Sequence, residues 1–284
     1  MGHGRRISPY GKNVLITGAS SGIGAATAIL LAREGFSVWG TIRDRGRVPG
    51  LPEELQRLVR FVEMDVTDQT SVDKGIAEVM SQAGHIDILI NNAGFAIYGP
   101  IEEVPMELAI AQFETNVFGV LRVTQAVVPF MRERRRGLII NMSSLAGKLV
   151  IPFQAHYSAT KHAIEALSEG LRQELRPFNV KVAIIEPGDI KTNFNNATRF
   201  GHKKNSPYER WTAASWHTID VNLQKAPDPE VVARKILAVA RKANPATRYP
   251  AGDFISTKFP FLARFMPDSL RELAIRIFYG INFR

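Results

Sequence analysis

With 284 residues, 45% of them hydrophobic and 22% charged, the chain has the make-up of a globular protein that can bury a sizeable core, at a length α/β folds reach as one domain. It holds no cysteine, which excludes disulfides, thiolate catalysis and cysteine-ligated metal and fits the cytoplasm. The net charge of +9 is dispersed; its densest cluster, Arg132, Arg134, Arg135 and Arg136, falls at an expected helix end, where cations meet the negative pole of the dipole.

No zinc-finger spacing or aromatic-basic interleaving is present, so no nucleic-acid partner is expected. No run approaches the roughly 18 apolar residues of a membrane span, and the basic opening MGHGRRISPYGK has no apolar stretch behind it, so neither a span nor a signal peptide is expected.

NVLITG, apolar and β-branched up to Gly18, reads as a buried strand feeding a tight turn. Gly22 to Glu34 is rich in the helix formers Ala and Leu and meets a C-cap at Gly35. FSVWGTI and LVRFVEMDV are further strands, a helix follows over Thr70 to Gln82, and IDILINNAG is the next strand. Met106 to Arg134 is a long amphipathic region. GLIINMSS and VKVAIIEPG are strands on either side of a helix in which Ala159, Ala163, Leu167 and Leu171 recur at helical spacing with polar residues opposite.

After Pro187 the composition changes. The polar, aromatic, weakly periodic NFNNATRFGHKKNSPYERWTAASWH reads as a lid or substrate loop within about 189–225. A helix near Asp228 to Lys242 and a short strand around Thr247 to Tyr249 precede a C-terminal extension over about 253–284. In it a helix near Asp268 to Phe278 alternates apolar and basic positions, so it packs on the body, completes a neighbour's site or lies on a membrane surface, the first being preferred.

Alternating strands and helices, with strands apolar throughout, imply a doubly wound α/β fold: a parallel sheet of the seven strands above, covered on both faces. Ligands of such sheets bind beyond the carboxyl ends of the strands, where the strand order switches. The first such turn, TGASSGIG, carries Gly18, Gly22 and Gly24, which permit a sharp turn, close backbone approach to a pyrophosphate and an open helix N-terminus. Its spacing differs from G-x-G-x-x-G, and a glycine turn alone is compatible with a purely structural role.

TGASSGIG resembles the TGxxxGIG turn of the short-chain dehydrogenase/reductase family, and the match is collinear through NNAG (Asn91 to Gly94), Asn116, Ser144, YSATK (Tyr157 to Lys161) and EPG (Glu186 to Gly188). It spans about Lys12 to Thr192 and implies a Rossmann fold with a nicotinamide cofactor held by Gly18, Ser20, Ser21, Gly22, Ile23 and Gly24, by Asn92, Ala93 and Gly94, and by Tyr157 and Lys161. The resemblance also implies that Pro187, Gly188, Ile190 and Thr192 cover the nicotinamide and that Asp65 and Val66 hold the adenine, although Asp65 also reads as a turn acid.

Carbonyl reduction needs a hydride from the cofactor and a proton for the oxygen. Tyr157 and Lys161, one helical turn apart, share a helix face, and a phenol with a free pKa of about 10 needs a nearby cation to favour phenolate. By resemblance Lys161 also contacts the nicotinamide ribose, Ser144 binds the substrate oxygen, with Ser143 adjoining it, and Asn116 supports a water-linked proton path. His156 points about 100° away from Tyr157 and reads as structural or substrate-lining.

At GTIRD, NAD enzymes place an acid for the ribose hydroxyls. Here Arg43 follows Ile42 and suits the extra phosphate of NADP(H), while a one-residue shift would bring Asp44 forward and favour NAD(H). Phe194, Phe200, Trp211 and Trp216 either wall an apolar substrate site or anchor the loop to the core.

The expected activity is interconversion of a ketone or aldehyde and an alcohol, with steroids or retinoids suggested by likeness of NNAGFAIYGPIEE and YSATKHAIEALSE to those branches. The alternative is a catalytically silent NADP(H)-binding regulatory or scaffold protein. The resemblance further implies a homodimer or homotetramer formed through the long helices.

Overall fold

The computed structural model describes residues 7–192, 198–201 and 203–281. Its elements in chain order are β1 (Asn13–Ile16), α1 (Gly22–Arg33), β2 (Ser37–Ile42), α2 (Glu53–Leu58), β3 (Arg60–Glu63), α3 (Gln69–Ala83), β4 (Ile88–Asn91), β5 (Ile97–Tyr98), α4 (Met106–Phe113), α5 (Gly119–Glu133), β6 (Gly137–Met142) and α6 (Ala155–Glu174). There follow β7 (Val180–Pro187), β8 (Arg199–Phe200), α7 (Glu209–Lys225), α8 (Glu230–Ala240), β9 (Arg248–Ala251), α9 (Phe254–Ala263) and α10 (Asp268–Phe278). Seven strands form one parallel sheet in the order β3-β2-β1-β4-β6-β7-β9, and β5 pairs with β8 apart from it. The order reverses between β1 and β4, which opens the crevice beyond their carboxyl ends.

Alternation along the strands feeds two core layers. Val14, Ile16, Ile88 and Ile90 pack with Ala28 and Leu31 of α1 and Val232, Ile236 and Val239 of α8. Leu15, Leu89, Ile139 and Val182 point the other way, onto Val72, Ile76 and Val79 of α3 and Val123, Val127 and Met131 of α5. Both faces are therefore covered, as a fully buried parallel sheet requires.

Three departures from the sequence reading bear on the site. The region read as one amphipathic run from Met106 to Arg134 is interrupted at Glu114–Phe118 by one turn of π-helix, which buries Asn116 and Val117. In α6 the buried residues are Ser158, Thr160, Lys161, Ile164, Glu165 and Ser168, whereas Leu167 is 38% exposed and Ala159 faces solvent. An apolar stripe ordinarily faces the core; here polar side chains with hydrogen-bond partners inside the protein take that place. Finally, Glu209–Lys225, within the stretch read as a loop, is a helix whose few buried residues, Thr212, Ser215 and Ile219, are too polar to announce it.

Among the described residues no helix is long and apolar enough to cross a membrane. The C-terminal segment meets the body through Tyr279 and Ile281, buried with Tyr98 and Ile219.

Candidate active site

The turn between β1 and α1 is held from three strands. Thr17 Oγ1 accepts from the amides of Asn92 and Ala93 at 2.9 and 3.0 Å, Asn92 Nδ2 donates to the carbonyls of Thr17 and Gly18, both at 3.0 Å, and Gly18 N donates to Thr41 Oγ1 at 3.1 Å. Sequence reasoning passes over Thr17 and Thr41, because a threonine at a strand end carries no motif. Gly18 and Gly22 have φ of +66° and +55°, a region that strains residues with a Cβ. A Cβ on Gly24 would lie 2.3 Å from Gly18 O, so this glycine lets helix and turn close on each other. Ser21 supplies no side-chain cap to α1 and its first turn holds no acid, which leaves the amides at the helix N-terminus open to an anion.

Above this turn lies a cavity of about 850 Å³, within the range of small-molecule sites. Gly18, Ser20, Ser21, Gly22, Ile23, Arg43, Asp65, Val66, Asn92, Ala93, Gly94, Ser144, Tyr157, Lys161, Pro187, Gly188, Ile190 and Thr192 all line it. Of the cofactor-binding and catalytic residues expected from the sequence, Gly24 and Asn116 are not in the lining. Asn116 accepts from Phe95 N at 3.0 Å and donates to Phe95 O at 2.9 Å and Thr160 Oγ1 at 3.2 Å, so the π-turn joins the strand end after β4 to α6.

At β2, Arg43 lines the cavity while Asp44 Oδ1 accepts from Gly46 N at 2.8 Å and caps the following turn. Asp65 Oδ1 accepts from Thr67 N and Thr67 Oγ1 at 2.9 and 2.8 Å, so it is a turn acid that also borders the cavity. The residues present fit a phosphorylated dinucleotide: an open helix N-terminus, a glycine turn without Cβ obstruction and an arginine at the end of β2.

The reactive cluster sits farther along the same cavity. The Ser144 and Tyr157 hydroxyls are hydrogen-bonded to each other. Ser144 Oγ also accepts from Ala146 N at 3.1 Å and donates to Pro187 O at 3.4 Å, which distinguishes it from Ser143, whose buried Oγ has no hydrogen-bond partner among the described residues. Lys161 Nζ donates to Met142 O at 2.8 Å and stands 5.6 Å from the Tyr157 ring centroid.

Burial pushes the Tyr157 phenol up to about 12, the Ser144 hydrogen bond opposing this and the charge of Asp189 adding to it. Burial pulls Lys161 down to about 8, against the attraction of Glu165. Removal from water penalises phenolate, so burial opposes the acidification of Tyr157 expected from Lys161. Tyr157 is a neutral phenol near neutral pH.

Of the two readings of the aromatic residues, anchoring to the core is the one the structure shows for Phe200, Trp211 and Trp216. Phe200, Trp211 and Trp216 do not line the cavity; Phe200 and Trp216 meet Tyr98 edge to face at 5.9 and 4.9 Å between centroids and Trp211 packs on the same cluster, anchoring the segment. Phe194 lies outside the described residues. The apolar lining is supplied by Phe95, Leu145, Ile151, Ile219, Leu223 and Tyr279, with Gln154 and Asp189 among them, while His156 is absent from the lining. Tyr279 lies about 120 residues beyond Tyr157 in a segment without a motif, so no local pattern could place it here.

A doubly wound parallel sheet with an open phosphate turn and a Ser–Tyr–Lys cluster at its switch point defines a dinucleotide-dependent oxidoreductase. The chain belongs to the short-chain dehydrogenase family, whose sequence model matches residues 12–203. It is 37% identical, over 95% of this chain and 98% of the relative, to a 3-ketodihydrosphingosine reductase of Bacteroides thetaiotaomicron. It is 35% identical to an NADPH-dependent 3-dehydrocapnine reductase of Ornithobacterium rhinotracheale, over 81% of each. A crystal structure of a short-chain dehydrogenase from Streptomyces avermitilis superposes with a TM-score of 0.80 at 33% identity, covering 96% of this chain and 98% of that one. As a family member the protein is an oxidoreductase acting on CH–OH groups of small molecules with a nicotinamide cofactor.

Proposed function

We propose that the protein is an NADPH-dependent reductase of ketones carried on long apolar chains. The observation that carries this reading is the Tyr157 hydroxyl, grouped with Ser144 and Lys161, in a cavity that runs from the open phosphate turn to an apolar wall. When bound, the reduced nicotinamide supplies the hydride. Ser144 donates a hydrogen bond to the substrate oxygen, and Tyr157 delivers the proton as negative charge develops there. Lys161, fixed by Met142 O, holds the ribose and restores the proton, and Asn116 orders a water path behind it. Gly18, Ser20, Ser21 and Ile23 cradle the pyrophosphate, Asp65 and Val66 the adenine, and Pro187, Gly188, Ile190 and Thr192 the nicotinamide.

Two observations favour NADP(H) over NAD(H). Arg43 borders the cavity where a ribose phosphate would lie, and Asp44 is engaged with Gly46 N. For the substrate, the names of two relatives point to long-chain keto compounds in place of steroids or retinoids. The apolar lining of Ile151, Ile219, Leu223 and Tyr279 suits an alkyl chain. Exposed Met106, Ile110 and Phe118 on α4 and the π-turn, with Leu167 on α6, support a homodimer or homotetramer built through these helices.

The test is steady-state turnover of NADPH and of NADH with ketones graded by chain length. The expected result is a kcat/KM that rises with chain length and is at least about tenfold higher with NADPH. Preference for NADH, or for short polar ketones, refutes the reading.

A further inference from the structure

Three acids border the cavity: Asp65, Glu114 and Asp189. Asp65 is tied into its own turn, and Glu114 pairs with Arg122 at 2.7 Å. Asp189 differs from both. It follows Gly188 beyond β7, is half-buried, and among the described residues no lysine or arginine forms an ion pair with it.

The groups whose charge couples to Asp189 are a second acid, Asp253, just before α9, and the phenols of Tyr157 on α6 and Tyr279 beyond α10. None of these is a cation, and burial together with Asp253 pushes the Asp189 carboxyl up to about 6. A carboxylate placed away from water without a cation costs free energy, and acids in that position inside a cleft are candidates for ligand recognition. Asp189 lines the same cavity as Ser144 and Tyr157 and lies two residues beyond Pro187, whose carbonyl accepts from Ser144 Oγ at 3.4 Å, and its charge opposes ionisation of Tyr157.

We propose that Asp189 is a specificity residue that binds the protonated amine of a substrate whose amino group sits on the carbon next to the reacting carbonyl. The proposal rests on the reductase reading above and names its substrate class: apolar-chain α-amino ketones. With the carbonyl oxygen on the Ser144 and Tyr157 hydroxyls, the adjacent ammonium faces Asp189, and the chain leaves along Ile151, Ile219 and Leu223. The ammonium supplies the ion-pair partner that Asp189 lacks among the described residues, and it offsets the negative charge of the acid near Tyr157.

The experiment compares wild type, Asp189→Asn and Asp189→Glu on two ketones of equal chain length, one with and one without the neighbouring primary amine. The ratio of kcat/KM for the amino ketone to that for the plain ketone should fall about 10- to 100-fold in Asp189→Asn and recover in part in Asp189→Glu. An unchanged ratio overturns the proposal, as does an equal loss on both ketones accompanied by weakened NADPH binding.

A second arm reads binding without turnover. Octylamine added to the NADP⁺-loaded protein should raise Tm in wild type and not in Asp189→Asn, whereas octanol should not discriminate between them. If neither ketone is reduced, the reductase reading fails, while the cation site is upheld or overturned by the octylamine shift alone.

Discussion

In the proposed reaction Tyr157 is the proton donor, and its burial reinforces the protonated form that a phenol already has at neutral pH. Burial raises the phenol to about 12, two things counter one another at its oxygen, the Ser144 hydrogen bond and the Asp189 charge, and Lys161 is fixed 5.6 Å from the ring centroid by Met142 O. A proton donor is what reduction of a carbonyl requires. Tyr157→Phe removes one oxygen from this arrangement and leaves the ring in place. Its kcat should fall about 100- to 10,000-fold, the usual worth of a positioned acid, with NADPH affinity within about twofold of wild type. Steady-state kinetics and a nucleotide fluorescence titration measure both, and a variant that keeps wild-type kcat would remove Tyr157 from the reaction.

At the scale of elements, α6 reaches the sheet through polar contacts. Asn91 Nδ2 donates to Thr124 Oγ1 at 3.1 Å and Asn141 Oδ1 at 2.8 Å, Asn141 Nδ2 donates to Ser168 Oγ at 2.8 Å, and Ser168 Oγ donates to Ile164 O at 2.6 Å. This chain of bonds runs from α5 through β4 and β6 to α6, and so sets the helix that presents Tyr157 and Lys161. Asn141→Ala removes its centre and leaves a gap in the core, at a cost of about 2–4 kcal/mol. Chemical denaturation should show a lower midpoint with unchanged m.

The same contacts explain what the sequence could and could not reveal. Uninterrupted apolar strands such as ILIN and the glycine turn have local signatures, so the sheet and the phosphate turn were legible. The buried face of α6 was not, because periodicity marks apolar residues and this face is buried through Ser158, Lys161, Glu165 and Ser168. The motif residues that line the cavity could be named in advance; the wall containing Tyr279, Ile219 and Leu223 depends on tertiary folding that no short window records.

Across the whole molecule, a part-buried ionic network joins the parts that carry the site. Glu165 of α6 pairs with Lys148 at 2.7 Å and Arg248 at 2.8 Å, and Glu186 of β7 lies 3.5 and 3.3 Å from the same two cations, while Arg248 also meets Glu169. Two acids thus share two bases behind Lys161, and burial with the Glu165 charge pushes Glu186 up from 4.5 to about 7, against the pull of Lys148. The unfolded chain releases this proton near 4.5, so the folded state binds it more tightly between the two values. The stabilisation it gives is complete below about 4.5 and is lost as pH rises through about 7. Asp189, raised from 3.8 to about 6 by burial and Asp253, acts in the same direction.

Lys161 is lowered from 10.5 to about 8 by burial, so its contribution is present above 10.5 and lost as pH falls through about 8. Thermal stability should therefore decline from pH 5 to pH 7 and begin to recover above pH 8. Glu186→Gln keeps the shape and the hydrogen-bond donor toward Glu165 and deletes the titration. Its Tm should match wild type within about a degree at pH 5 and exceed it by a few degrees, on the order of 2–6, at pH 8. Differential scanning fluorimetry across that range decides it, and a variant equally destabilised at both ends would show that Glu186 acts as a permanent ion-pair partner instead of a shared proton site.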